Sequence, residues 1–366
     1  MKFTLPSYLP PDFSGRILAA APPARFETVT QAGVAPKGYH ATSIFPEYFQ
    51  VEKGRWILAE NSRMDCAAVL ESDRSISVKE LRRLEIGDRV ACGRRENGEE
   101  GILVHAQAFE LRENWSDKFV FRSHLTRETS FSIDYDELYA LLDHERDHGF
   151  ILWVLGPAVV FDQDARKAFV RLIQRGYAHG LLAGNALATH DLEGALYGTA
   201  LGQEIYSKKR AALGHYNHLD TLNRIRGLGS IESAVSSGLI QDGIMHAVID
   251  NRIPYVLAGS IRDDGPLPEV IADVCKAQDR MRDLAQKATT VIALATQLHA
   301  IATGNMVPCY HVEPGGRVRP VYFYVVDMSE FAVSKLADRG SLTVRSILTN
   351  VQDFVVTVER GLRRDP

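Results

Sequence analysis

From about residue 134 onward the chain alternates short apolar runs with helix-period segments, and that alternation restricts the fold more than any other feature. Phe150 to Leu155 (FILWVL) is an unbroken apolar run that stops at Gly156-Pro157, the pattern of a strand buried on both faces. Ala165, Ala168, Phe169, Leu172 and Ile173 then recur at helical spacing before Gly176, which predicts an amphipathic helix. Gly180 to Ala183, Pro254 to Ala258, Thr290 to Leu294 and Val321 to Val326 repeat the strand texture. A helix is expected where Leu267, Val270, Ile271, Val274, Met281 and Leu284 form one stripe. The order predicts an α/β domain: a parallel sheet covered by helices, Rossmann-like and doubly wound.

Ahead of it the texture is short and β-rich. Trp56 to Leu58, Cys66 to Leu70 and Asp88 to Cys92 read as strands, with turns at Lys53-Gly54 and Asn97-Gly98 and a short helix over Lys79 to Leu84. The expected organisation is an N-terminal arm over 1–24, a β-rich α+β domain over 25–133 for substrate or oligomerisation, and the Rossmann-like domain over 134–366. Residues 110–130 read as a connection. A chain of 366 residues suits about two domains. With 45% hydrophobic and 24% charged residues it is neither disordered nor disulfide-scaffolded. A net charge of −4 without a basic run argues against a nucleic-acid partner. The four cysteines, at 66, 92, 275 and 309, form no CxxC pair and fit a reducing cytosol. No apolar run approaches the roughly 20 residues that cross a bilayer, and the start lacks a signal-peptide core. A cytoplasmic homo-oligomer acting on a small molecule is expected.

Ligands of open α/β sheets bind at the carboxyl ends of strands, near the point where strand order reverses. Here those ends carry Gly156-Pro157, Gly184-Asn185, Gly259-Ser260, Ala295-Thr296 and Asp327. Glycine there admits close backbone approach, and a following helix offers free amides to phosphate. Asp327 is placed either for ribose hydroxyls or as a helix cap. Five such ends favour a nucleotide cofactor. The usual GxGxxG is missing; Gly227-Leu228-Gly229-Ser230 follows no apolar strand, and Ser230 reads as the cap of a short helix ended by Gly238.

Other candidates keep two readings each. Arg262, Asp263 and Asp264 stand just past a buried strand, where neighbouring carboxylates either tune a proton-transfer group or brace a Pro-bounded loop. His190 and Asp191 serve proton transfer, or Asp191 caps a helix and His190 is solvated. His215 and His218 stand at i, i+3, but spacing marks no further ligand, so no metal is expected. His299 faces the strand-end crevice. Arg63 either grips a substrate carboxylate bidentately or sits on a solvated hairpin edge.

Taken together, Asn61-Ser62-Arg63-Met64-Asp65, Ala183 to Ala188 (AGNALA), His190 to Glu193 (HDLE), Leu257 to Pro268 (LAGSIRDDGPLP), Ala302 to Met306 (ATGNM) and Lys335 to Gly340 (KLADRG) resemble the archaeal-type, alternative ornithine cyclodeaminases. This is also called the LOR/SDH conserved region, and it forms the C-terminal part of cyanobacterial bifunctional arginine dihydrolase/ornithine cyclodeaminases. The resemblance runs over about residues 25–362. It implies a deoxyhypusine synthase-like Rossmann domain that binds NAD without the usual glycine fingerprint, and conversion of L-ornithine to L-proline and ammonia through imine formation, ring closure and hydride return. It further implies Arg63 for the carboxylate and Asp264 or Asp191 for proton transfer. Asn61, Met64 and His190 would contact substrate. Gly184, Asn185, Ala186, Gly259, Ser260, Asp263, Ala295, Thr296, His299, Asn305 and Asp327 would hold NAD.

The sequence departs from the family pattern mainly in its first half. Gly38-Tyr39 leads to His40-Ala41-Thr42-Ser43, the tract Gly93 to Gly101 differs, and Asp327-Met328-Ser329-Glu330 replaces Asp-Ile-Asn-Pro. The expectation therefore extends to an NAD-dependent dehydrogenase, imine reductase or cyclodeaminase of another amino acid.

Overall fold

Two small antiparallel sheets form the β-rich region of this computed structural model, which describes residues 3–110, 135–329, 341 and 343–363. After the short helix α1 (Arg16–Ala20) come β1 (Arg25–Thr28), β2 (Glu47–Glu52), β3 (Arg55–Leu58), β4 (Ala67–Leu70), β5 (Ile76–Lys79), β6 (Arg89–Cys92) and β7 (Ile102–Val104). They pair in the orders β1-β6-β4-β5 and β3-β2-β7. Phe49, Ala68, Ile76, Ala91 and Ile102 pack between them. The stretch expected as a short helix from Lys79 is instead the end of β5 and a single 3-10 turn over Leu81–Arg83. The connection placed at 110–130, past its first residue, and the segment Lys335 to Gly340 lie outside the described residues. The first residues are docked: Leu5 enters the core of the second domain, and Phe3 packs against His144 and Tyr322.

The second half continues with α2 (Tyr135–His148), β8 (Ile151–Leu155), α3 (Gln163–Gln174), β9 (Gly180–Gly184), α4 (Asn185–Tyr197), the hairpin β10–β11 (Thr199–Ala200 and Gln203–Glu204), α5 (Gly214–Leu228), α6 (Ile231–Ser236) and α7 (Ile244–Asp250). It ends with β12 (Tyr255–Ala258), β13 (Val270–Ile271), α8 (Val274–Ala285), β14 (Thr290–Leu294), α9 (Gln297–Met306), the hairpin β15–β16 (Tyr310–Val312 and Val318–Pro320), β17 (Tyr322–Asp327), β18 (Thr343–Leu348) and α10 (Val351–Gly361). The seven-stranded sheet runs β13-β12-β9-β8-β14-β17-β18, all parallel. Chain order grows outward from β8 in one direction, then jumps back to β14 and grows in the other. The switch point therefore lies between the carboxyl ends of β8 and β14.

Strand periodicity divides the core. Ile151, Trp153 and Leu155 of β8 face one layer with Phe169 and Leu172 of α3 and Phe354 of α10. Leu152 and Val154 face the other, with Met281 of α8 and Ala300 of α9. Fully burying such side chains stabilises the fold by about 1.5–3 kcal/mol each, which explains why both-face burial writes β8 as an unbroken apolar run. Local signals set the helix starts. Asp162 accepts from the amides of Asp164 and Ala165 at α3, and Ser230 accepts from Ser233 at α6. The expected helix over 267–284 begins only at Val274; Val270-Ile271 instead pair with Leu257-Ala258 as an edge strand. Prolines at 266 and 268 and the β-branched pair favour extension there.

Candidate functional site

Small residues gather at the switch point because the backbone leaves no room for larger ones. A Cβ on Gly156 would stand 1.9 Å from the Ala295 carbonyl oxygen, and one on Gly259 would stand 2.9 Å from that of Ile271. Both glycines are thus required by neighbouring strands, apart from any ligand. Ala295 holds φ +47, a left-handed conformation uncommon outside glycine. On either side, α4 and α9 begin at Gly184 and Thr296, neither of which caps its first turn with a side chain. These helix starts keep amides free at the crevice rim.

His299 crosses from α9 to Gly184, where a Cβ would come 3.0 Å from the ring. Burial holds this imidazole below its ordinary value, with Asp263 pulling weakly the other way, so the ring is neutral near pH 7. Asp263 itself accepts from the Ser260 amide (2.9 Å), and the Asp263 amide donates to the Ser260 carbonyl (3.0 Å). Asn185 Oδ1 accepts from the Leu267 amide (3.0 Å), tying the RDDGPL loop to α4. Arg262 and Asp264 are exposed on that loop, while Ala186 is half-buried on the first turn of α4. Asp327 is half-buried at the end of β17 and accepts from the Ser329 amide (2.8 Å). The fold thus brings together Gly184, Asn185, Ala186, Gly259, Ser260, Asp263, Ala295, Thr296 and His299, with Asp327 at the end of a neighbouring strand.

Five expected site residues stand elsewhere: Asn305, Arg63, Asn61, Met64 and Asp191. Asn305 is on the last turn of α9, about 12 Å along the helix axis from its start at 1.5 Å per residue. Arg63 is buried, and its Nε and Nη2 donate to Glu80 at 3.1 and 2.7 Å. The carboxylate it grips belongs to the protein, which corrects the expectation that this guanidinium awaits substrate. Burial pushes the Glu80 carboxyl up, but Arg63 and then Arg282 more than offset it and hold it below the usual range. Arg282 (2.5 Å from Glu80) lies at the last turn of α8, so this network fastens the β-rich domain to the Rossmann domain. Asn61 contacts His311 (3.2 Å), whose other ring nitrogen meets the Ala288 carbonyl just before β14. Met64, whose carbonyl accepts from the Cys66 thiol, belongs to the same seam, on the amino-end side of the sheet.

The last of the five, Asp191, is fully buried. It accepts from Arg166 Nε (2.7 Å) and from the Ile244 and Met245 amides (3.0 and 2.7 Å). Both oxygens are thereby engaged in capping α7, a helix other than its own; this corrects its expected proton-transfer role. His190 is buried rather than solvated. Its Nδ1 lies 3.1 Å from Glu193 Oε2, and its ring packs against Phe161 and His218. His218 turns toward this pair, whereas exposed His215 packs on Tyr216. Sequence spacing missed Glu193 as the residue that gathers the histidines, although its i, i+3 relation to His190 could have signalled it.

A parallel sheet with one order reversal, joined to a β-rich partner domain and carrying small residues and uncapped helix starts at the reversal, defines a Rossmann-fold protein with an open switch-point crevice. Residues 137–358 match the family model "Arginine dihydrolase ArgZ-like, C-terminal, Rossmann fold". The ornithine cyclodeaminase of Methanocaldococcus jannaschii is 39% identical over 339 residues, covering 90% of this chain and 76% of that protein. The bifunctional arginine dihydrolase/ornithine cyclodeaminase ArgZ of Synechocystis is 34% identical, covering 95% of this chain and 48% of that protein. A LOR/SDH protein structure from Methanococcus maripaludis superposes with a TM-score of 0.84 at 34% identity, covering 93% of this chain and 98% of that one. The ternary complex of AgrE with ornithine and NAD+ gives 0.57 at 33% identity, covering 94% of this chain and 46% of that one. The chain belongs to the ArgZ-like C-terminal family, together with the archaeal ornithine cyclodeaminases. Among the described residues no helix is long and apolar enough to cross a membrane.

Proposed function

We propose that this protein is an NAD-dependent ornithine cyclodeaminase that converts L-ornithine to L-proline and ammonia with no net redox change. The observation that carries this reading is the switch-point crevice, with two uncapped helix starts and the His299 ring against Gly184 on its wall. Family membership and the relative's complex with ornithine and NAD+ support it. The crevice suits a dinucleotide: free amides favour phosphate, and small strand-end residues leave its floor low.

In this reading Gly184, Asn185 and Ala186 hold the pyrophosphate at the start of α4, with Thr296 opposite. Gly259, Ser260, Asp263 and Ala295 shape the floor. Asp327 receives ribose hydroxyls, and His299 packs against the cofactor as a neutral ring. When bound, NAD+ supplies a two-electron acceptor that later returns what it took. On the exposed loop, Arg262 offers a guanidinium to the substrate α-carboxylate and Asp264 a carboxylate to an ammonium. Ring closure is intramolecular, and holding the δ-amine near C2 keeps it in attack geometry.

The test incubates the protein with NAD+ and L-ornithine, following proline, ammonia and absorbance at 340 nm. Stoichiometric proline and ammonia with no absorbance rise support the reading. Accumulating NADH indicates a dehydrogenase, and no ornithine turnover beside turnover of another amino acid moves the substrate assignment. Asp327→Ala is expected to weaken NAD+ binding about tenfold by calorimetry; unchanged affinity removes Asp327 from the site.

A further inference from the structure

A parallel α/β fold has no need of a carboxylate in the middle of a core helix, yet Glu193 is fully buried on α4. Among the described residues its ionic partners are histidines alone. Oε1 accepts from the Thr199 hydroxyl (2.8 Å) and the Gly202 amide (3.1 Å). Oε2 accepts from the Leu201 amide (3.2 Å) and His190 Nδ1 (3.1 Å). The hairpin β10–β11 thus wraps the carboxylate. Burial pushes its carboxyl up, but His190, His218, the Gly202 amide and Thr199 overcome that and hold it well below the usual range.

An ionised carboxylate only accepts, so His190 Nδ1 is the donor in this contact, and the neutral tautomer with that geometry has its lone pair on Nε2. From α5, His218 Nδ1 lies 3.9 Å from Glu193 Oε2, with its ring 5.0 Å from that of His190. The His218 side chain is 33% exposed and that of His190 6%. The other neighbour of His190 is Phe161, the last residue of the 3-10 turn that leaves the switch strand β8, at 5.3 Å. The charges beyond Phe161, Lys208 and Asp162, pair with each other at 3.3 Å. The cluster therefore leads from the surface at His218 to the turn that follows the switch strand.

We propose that this cluster is a proton relay: His190 exchanges protons with the substrate amines, Glu193 is its positioning residue, and His218 is the outlet to water. The proposal rests on the amine-oxidation reading above. The substrate α-ammonium gives one proton to His190 Nε2, and the resulting imidazolium is balanced by Glu193. Two electrons then leave the α-carbon as hydride to a nicotinamide dinucleotide, leaving a protonated substrate imine (an iminium). The δ-ammonium surrenders its proton through the same relay and forms the new C–N bond. The old C–N bond breaks as the departing NH2 takes one proton from the ring nitrogen and one from the relay and leaves as ammonium, with the ring left as a cyclic iminium. Hydride returns to the ring carbon and the ring nitrogen recovers the second proton, so the enzyme ends unchanged.

The test uses the full chain. Nitrogen-15 histidine spectra, with His190 assigned by the signal lost in His190→Gln, are expected to show an Nδ1–H tautomer that becomes mixed in Glu193→Gln. With ornithine and NAD+, Glu193→Gln should lower kcat about a hundredfold, within the range of general acid–base catalysis, while KM and NAD+ affinity stay within about twofold. His218→Gly should turn over slowly and recover with added imidazole, which a packing role would not do. A wild-type Nε2–H tautomer, a Glu193→Gln variant with wild-type kcat, or a His218→Gly variant deaf to imidazole overturns the proposal. So does turnover abolished by chelator and restored by zinc, which would make the cluster a metal site. If the wild type turns over no ornithine, the proposed function falls and the relay with it, while the tautomer measurement still decides whether Glu193 positions His190.

Discussion

Asp191→Ala separates a brace from a catalyst more sharply than any other single change. The wild-type carboxylate is fully buried, accepts from Arg166 at 2.7 Å and closes the start of α7 through the Ile244 and Met245 amides. Removing it leaves Arg166, itself 2% exposed, with the Asp191 main-chain carbonyl and, as its one remaining counter-charge among the described residues, the exposed carboxylate of Asp242 at 3.1 Å. Breaking a buried pair on one side costs about 3–5 kcal/mol, because the surviving charge stays desolvated. Net stabilities are only about 5–15 kcal/mol, so the loss is a large fraction of the total. Thermal unfolding followed by circular dichroism should show the midpoint falling by roughly 10 °C. Arg166→Met combined with Asp191→Leu should recover part of the loss, since no charge is then orphaned. At a temperature where Asp191→Ala remains folded, turnover should be retained. An unchanged melting temperature with turnover abolished would refute this and return Asp191 to the chemistry.

Three further outcomes are expected. Glu80→Gln leaves Arg63 and Arg282 without their shared counter-charge; faster proteolysis between residues 59 and 66 and a lower melting temperature should follow, and an unchanged digestion pattern would contradict the seam. Gly156→Ala places a Cβ against the Ala295 carbonyl oxygen and should impair NAD+ binding more than folding, read by calorimetry beside circular dichroism; wild-type affinity would show that the switch point tolerates opening. Burial holds His144, His179, His299 and His311 below the ordinary 6.5, so each favours its neutral form when folded. Their contribution is present above about pH 6.5 and lost as pH falls from there through the folded values; melting temperature should be flat above pH 7 and decline below about 6.5, and a rise on acidification would contradict the assignment.

The parallel sheet was legible because strands buried on both faces leave apolar runs, as in Ile151–Leu155 and Thr290–Leu294. The two-residue strand β13 left no such trace, and its apolar residues fell by chance on a helical stripe. Among site candidates, the strand-end residues were readable because chain polarity alone puts them at one rim. Side-chain partners were not. Arg63 looks the same in sequence whether it faces a ligand or Glu80, and only the folded register of β5 brings that carboxylate to 2.7 Å. Glu193 escaped notice for the opposite reason: a carboxylate on a helix usually marks a solvated face, and its burial comes from a hairpin that folds back over it.

The central claim is that a dinucleotide lies across the carboxyl ends of β8, β9 and β14. A crystal structure of this protein grown with NAD+ tests it most directly. Density along Gly184, Thr296 and His299, with the nicotinamide open toward the RDDGPL loop, is the predicted result; NAD+ bound at another surface, with the crevice filled by protein side chains, would contradict it.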